Sequence, residues 1–204
     1  MSQQSVLSLG EVSSAELRVV QAAIRCIGRW GLAKTTLDDV AREAGVSRAT
    51  VYRLFPGGKS ALVEACGGHE IGRLLVTLDS ELQTASTAAD VVVRAMCGAA
   101  RFVAENDALS MLVTHEPDVL RPFLAFDRVQ PILTAARAFV APHLARHLPT
   151  HRAEQVAEWA TRLVISFTFT PDRSIDLTDL DQAVSFVERF ILPGLDRDVL
   201  PSSG

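Results

Sequence analysis

The sequence predicts an all-α protein in which a small N-terminal bundle of three helices, built as a helix-turn-helix, precedes a larger helical domain. Three observations carry that prediction. Apolar residues recur at three- and four-residue intervals along most of the chain, as in Leu17, Val20, Ile24 and Ile27. Cap-type residues and glycines punctuate those stretches at helical lengths. Strand-like alternation is almost absent, the best candidate being SFTFT at 166–170, which reads as the end of a buried helix. With 204 residues the chain is long enough for a small domain joined to a larger one, expected at 1–58 and 59–204.

Each element follows from local chemistry. Ser13-x-x-Glu16 has capping-box spacing and opens the first helix, which Gly31 stops. The second starts at Thr36, with Asp38 and Asp39 in its first turn where acidic groups suit the helix dipole, and ends at Gly45. Ser47 caps a short third helix running to Phe55. Pro56-Gly57-Gly58 breaks the chain before a fourth helix opens near Lys59 and runs to about residue 84, with a bend at Gly67-Gly68. Further helices are expected at 88–105, 107–115, 118–147 with interruptions at Pro122, Pro131 and Pro142, 151–169 and 179–192. Thr87-x-x-Asp90 and Thr178-x-x-Asp181 repeat the cap spacing, and PDRSIDL at 171–177 is the clearest late loop.

Composition narrows the function classes. Apolar residues make up 48% of the chain and charged residues 22%, which argues against disorder and fibrous repeats. Cys26, Cys66 and Cys97 lie in apolar helical patterns without a C-x-x-C pair, so they read as buried thiols in a reducing compartment, with cytoplasm the default. MSQQSVLSLGEV does not read as a signal peptide, and VVVRAMCGAARFV is broken by Arg94 and Arg101, so no membrane span is expected. The net charge of −4 is unevenly spread: residues 1–66 hold eight basic against six acidic residues, and the remainder twelve against eighteen. A weak basic bias is therefore confined to the N-terminal part.

GVSRATVYRLF at 45–55 is the most informative stretch. Helix-turn-helix packing needs small residues where helices cross, and Ala41 and Gly45 supply them. Val40, Ala44, Val46, Val51 and Leu54 fall on the inward side. Arg48, Ala49, Tyr52 and Arg53 are left on the opposite face, with Ser47 and Thr50 at the N-terminal end. Such a helix fits a major groove, where arginine pairs bidentately with guanine and small or methyl-bearing side chains meet thymine.

The run TTLDDVAREAGVSRATVYRLFPGGKSAL, residues 35–62, resembles the tetracycline-repressor (TetR) family of bacterial one-component regulators. The shared features are a threonine pair, an apolar-Ala step, AGVS, a tyrosine in the third helix, an aromatic after it, and a lysine opening the fourth. Beyond Leu62 the likeness is one of architecture, with a late helix closing on FILPGL like many actinobacterial members. The resemblance implies that Thr36 meets a phosphate through its hydroxyl and backbone N–H, that Tyr52 and Lys59 hold the DNA backbone, and that Arg48, Ala49 and Thr50 read bases with Arg53 beside the groove wall. Asp38 and Asp39 stand where the family often has basic or neutral residues; that corner either reads cytosine N4 or stays off the DNA. Pro56-Gly57-Gly58 is one residue longer than the commonest family linker.

The resemblance also implies a small-molecule effector bound in the larger domain, and the bulky apolar residues there would suit one that is largely apolar. Met96, Phe102, Met111, Leu112, Phe123, Phe126, Phe139, Trp159 and Phe167 are bulky enough to wall its pocket, although such residues at helical spacing also build ordinary cores. His115 is either a polar anchor there or a helix cap. Trp159, Leu163, Phe186 and Phe190 lie on two helices suited to a four-helix homodimer face. The reading is a ligand-released repressor, not an enzyme and without cofactor, that binds an inverted-repeat DNA operator as a dimer.

Other classes are weaker readings. His143, His147 and His151 are spaced i, i+4, i+8 and on an unbroken helix would line one face for zinc, but Pro149 intervenes and a solvated helix end is the plainer account. His69 beside Cys66 reads as a surface imidazole near a buried thiol. No G-x-S-x-G, H-E-x-x-H, P-loop or dinucleotide fingerprint is present. A metal-dependent enzyme using His143 and His147, or a helical small-molecule carrier without DNA binding, are the remaining alternatives.

Overall fold

A computed structural model describes residues 13–120, 129–169, 175–191 and 193. Ten α-helices and one π-helical turn make up these residues, and no strand occurs among them.

The head begins with α1 (Ser14–Trp30), where the Ser13 hydroxyl accepts from the Glu16 backbone N–H at 3.1 Å. Its inward face carries Val19, Val20, Ala23, Cys26 and Ile27, all buried. Gly31 ends it at φ 81°, a left-handed value that other residues adopt with strain. α2 (Leu37–Ala44) opens on a full capping box. The Asp39 backbone N–H donates to Thr36 Oγ1 at 3.2 Å, and the Thr36 N–H donates back to Asp39 Oδ2, also at 3.2 Å. Gly45 ends it in the αL conformation and α3 (Arg48–Leu54) follows, capped by Ser47. Val40, Ala41, Val51 and Phe55 close the head core together with Leu62 and Cys66. Those last two come from α4 (Gly58–Gln83), so this helix starts inside the head and continues into the larger domain.

The larger domain is built from the rest of α4 with α5 (Ala88–Glu105), α6 (Asp107–His115), α7 (Pro117–Leu120), α8 (Gln130–Leu144), α9 (Thr150–Phe169) and α10 (Leu180–Phe186), the last continuing as a π-helical turn at Val187–Ile191. α5 lies at its centre, contributing Val91, Val92 and Met96 to a core shared with Leu82, Leu144 and Val156. A smaller apolar cluster of Ile27, Leu32, Ala108 and Leu112 joins α1 to α6, and hence head to large domain.

Several elements differ from expectation, each for a physical reason. α4 passes through Gly67 and Gly68 without a break; a Cβ at either would meet nothing within 4 Å. The helix expected at 118–147 is divided. α8 takes Pro131 into its first turn, where a missing N–H costs nothing, and ends two residues after Pro142. Pro122 lies outside the described residues. The late cap is Asp179, accepting from the Gln182 N–H, rather than Thr178, whose own N–H and hydroxyl go to Asp176. SFTFT is helical as far as Phe169. Residues 171–174 of the expected loop lie outside the described residues.

Candidate nucleic-acid interface and effector cavity

α3 turns one face to the core and the other to solvent. Val51 is fully buried, and Ser47, Arg48, Ala49, Tyr52 and Arg53 are exposed, with Thr50 half-buried. The Ser47 and Thr50 hydroxyls lie 2.9 Å apart, and the Thr50 N–H donates to Ser47 Oγ. Arg53 makes no hydrogen bond or ion pair among the described residues, so its guanidinium is free to meet a partner.

Arg48 is held. Its Nη1 lies 3.1 Å from Asp38 Oδ2, its Nη2 donates to Tyr52 Oη at 3.4 Å, and its guanidinium carbon stands 5.4 Å from the Tyr52 ring centroid. Tyr52 and then Asp38 push the guanidinium pKa above its ordinary value, so it stays charged throughout. The two aspartates that depart from the common family pattern are both occupied: Asp38 pairs with Arg48, and Asp39 caps α2 and accepts from Arg42 at 3.3 Å. Hydrogen bonds from Thr36 hold the Asp39 carboxyl below the usual carboxylate range.

Thr36 is exposed at the corner expected to meet a phosphate, but its hydroxyl and N–H are both committed to Asp39. The Thr36-x-x-Asp39 spacing is legible in the sequence, where Asp39 reads only as a charge favouring the dipole. Lys59 is half-buried, and its Nζ donates to the Leu32 carbonyl at 2.6 Å. An ammonium has three donors, so two remain for other partners. Glu43 joins α2 to α1 by accepting from Arg25 at 2.7 Å and Arg29 at 3.3 Å, a pairing that sequence reasoning missed because it spans two helices.

In the larger domain a cavity of about 650 Å³ opens between α4, α5 and α10. Val93, Phe102, Leu180, Val184 and Val187 supply apolar lining, and Glu81, Arg94, Arg101, Glu105 and Glu188 bring charge to it. Of the walls expected from sequence that lie among the described residues, Phe102 alone borders this cavity. Met96 is fully enclosed in the core, Phe139 packs at 5.5 Å from the His143 ring, and Leu112 sits in the cluster joining α1 to α6. Phe167 meets Phe186 edge-on at 5.3 Å. Met111 is half-buried on α6, and His115 is exposed in that helix's last turn. Phe123 and Phe126 lie outside the described residues. Core and wall share the same helical spacing, which is why sequence alone does not separate them.

On α9 and α10 the expected partner face is mixed. Trp159 is 49% exposed and Phe190 64% exposed, Leu163 is half-buried, and Phe186 is buried against Phe167 and Phe190. The three histidines do not share a helix: His143 is on α8, which ends at Leu144, His147 follows it, and His151 opens α9. Burial, aided by Arg146, holds His143 below the usual histidine range. Among the described residues no group of three or more His, Cys, Asp or Glu is placed to hold a metal ion. The cysteines are buried free thiols, and burial pushes Cys66 up to about 12. No helix among the described residues is long and apolar enough to cross a membrane.

Residues 19–66 match the family described as bacterial regulatory proteins, tetR family. An uncharacterized HTH-type transcriptional regulator from Mycobacterium tuberculosis strain H37Rv is 40% identical over 52 residues, which are 26% of this chain; the match spans 28% of that relative's length. The regulator BetI from Brucella suis is 28% identical over 180 residues, covering 85% of this chain and 87% of BetI. Among solved structures, the TetR family repressor AlkX from Dietzia sp., implicated in biodegradation of n-alkanes, superposes with a TM-score of 0.69 at 25% identity, over 91% of this chain and 97% of AlkX. FadR from Bacillus subtilis, solved with stearoyl-CoA, shares the fold at a TM-score of 0.56 and 15% identity, over 84% of this chain and 96% of FadR. The match of the head to the family model over residues 19–66 and the likeness of the helical body to AlkX together support a TetR-family transcriptional regulator with a DNA-binding head.

Proposed function

We propose that this regulator is a homodimeric repressor. It reads an inverted-repeat operator through α3 and lets go when a small, largely apolar effector occupies the larger domain. The observation that carries the reading is the two-sidedness of α3: Val51 is locked in the head core while Arg48, Tyr52 and Arg53 face solvent. Arg48, Ala49 and Thr50 take the base edges, Arg53 lies by the groove wall, and Thr36, Ser47, Tyr52 and Lys59 serve the backbone. For Thr36 this means giving up its bond to Asp39 or meeting phosphate through a neighbouring N–H. The head, expected at 1–58, also takes in the first turns of α4 through Lys59, Leu62 and Cys66, the rest of 59–204 binds the effector and the second copy, and the protein works in the cytoplasm.

Dimerisation through Trp159, Leu163, Phe186 and Phe190 supplies what one seven-residue reading helix lacks, a second half-site roughly 34 Å away held by the same body. AlkX, implicated in biodegradation of n-alkanes, and FadR, solved with stearoyl-CoA, support an effector with an extended apolar part. The apolar side of the α4–α5–α10 cavity offers one place for it. A metal-dependent enzyme using His143 and His147 lacks a shared helical face to build on.

The test is selection of duplexes from a random pool by protein unfolded, stripped of bound small molecules and refolded, followed by fluorescence anisotropy on the winner. An enriched inverted repeat whose affinity falls steeply with salt is expected. A pool that stays random would sink the reading.

A further inference from the structure

The turn between α1 and α2 is gripped from the larger domain by one carboxylate. After Gly31 turns the chain at φ 81°, the next two backbone N–H groups converge on Glu116, the residue that ends α6. Leu32 N–H donates to Oε2 at 2.6 Å, and Ala33 N–H reaches Oε2 at 3.2 Å and Oε1 at 3.3 Å. Successive N–H groups beside a left-handed residue form a concavity suited to an anion. The seat is tight, since a Cβ on Gly31 would stand 2.5 Å from Glu116 Oε1.

The same turn is held from a second side. Lys59 donates to the Leu32 carbonyl at 2.6 Å, so a residue buried among Ile27, Ala108 and Leu112 has its amide bound to a carboxylate and its carbonyl to an ammonium. Beyond it, the buried Thr35 bonds back to the Gly31 carbonyl through its hydroxyl at 2.7 Å, and Thr36 caps α2. A short, hydrogen-bonded path thus leads from Glu116 to the helix against which α3 packs.

We propose that Glu116 is a positioning residue for DNA reading. Its carboxylate fixes the turn that orients α2 and α3, and it touches no DNA. This rests on the head being a DNA reader. Charge makes the proposal separable from a bystander role: removing a negative group from a DNA-binding protein should leave affinity unchanged or raise it, whereas loss of a positioning contact lowers it.

The experiment compares full-length wild type, Glu116→Gln and Glu116→Ala on the duplex the wild type selects, by anisotropy across a salt series, with thermal melts on the same samples. Glu116→Ala is expected to bind about tenfold more weakly at every salt, the worth of a charge-assisted hydrogen bond, with the salt slope unchanged. Glu116→Gln, which keeps one acceptor oxygen, should fall between the two. If Glu116→Ala does not melt cooperatively, Glu116→Gln decides alone by the same criterion. Binding at or above the wild-type level in the folded variants overturns the proposal, whereas failure of the DNA-reading role shows earlier, as a wild type that selects no duplex.

Discussion

Arg48 reaches the reading face already ordered. Asp38 and the Tyr52 ring bracket its guanidinium, so little side-chain freedom is left to lose when it meets a base. In the proposed base-reading role the bracket would have a second effect, with Asp38 competing against acceptors on the DNA and disfavouring contacts weaker than a bidentate guanine pair. Arg48→Ala is therefore expected to weaken binding on the order of tenfold at particular base pairs, measured as a loss of preference between the selected duplex and single-base variants. Tyr52→Ala should weaken all duplexes alike, and an equal loss for Arg48→Ala would move Arg48 to the backbone. Asp39 acts through pH. Its carboxyl titrates below the usual range because Thr36 bonds to the charged form, so the capping box holds at neutral pH and is lost as pH falls through that lowered value. The exposed face of α3 was legible in the sequence because half a helical turn separates inward from outward residues, as Val51 from Ala49 and Arg53. The partners of Asp38 and Lys59 were not, since they depend on how neighbouring elements meet.

At the scale of elements, the ends of helices are set by caps and their directions by turns. Gly45 holds φ 65° and ψ 36° between α2 and α3, and a Cβ there would meet no atom within 4 Å. Gly45→Ala thus tests backbone strain alone and should cost about 1 kcal/mol, read as a lowered denaturant midpoint with an unchanged slope. A loss several times larger would mean that the helix-turn-helix angle itself had changed. Ser13 and Thr87 cap where their sequence spacing predicts, because a cap is a local bond within three residues. Asp179 displaces Thr178 because Asp176 draws the threonine's N–H and hydroxyl away, a competition that spacing does not rank. Glu70 is a buried carboxylate of the body, bonded by Arg73 of its own helix and by Asn106 at the start of α6. Its burial is invisible in sequence, since the residue that satisfies it is 36 positions away.

At the scale of the whole molecule, charge is unevenly placed. The basic bias lies in the head, and the large exposed apolar residues of α9 and the late π-helical turn are Trp159 and Phe190. Replacing both, Trp159→Glu with Phe190→Glu, is expected to give a monomer by sedimentation at concentrations where the wild type is a dimer. Helical content should be preserved, because neither side chain is enclosed in the protomer. Operator affinity should fall to that of a single half-site. A variant that still sediments as a dimer would place the interface elsewhere.

Read alone, the residue order already specifies the all-helical class, the capped helices of the head and the outward face of α3. Those features follow from 3.6-residue periodicity and from bonds closing within three or four residues. The tertiary structure decided which bulky residues are core and which border the α4–α5–α10 cavity, and it decided that Glu116 closes on Leu32 from 84 positions away. Apolar spacing tells only that a helix has an inner face. What that face meets is settled when separate helices compete to bury their surfaces and satisfy their backbone groups together.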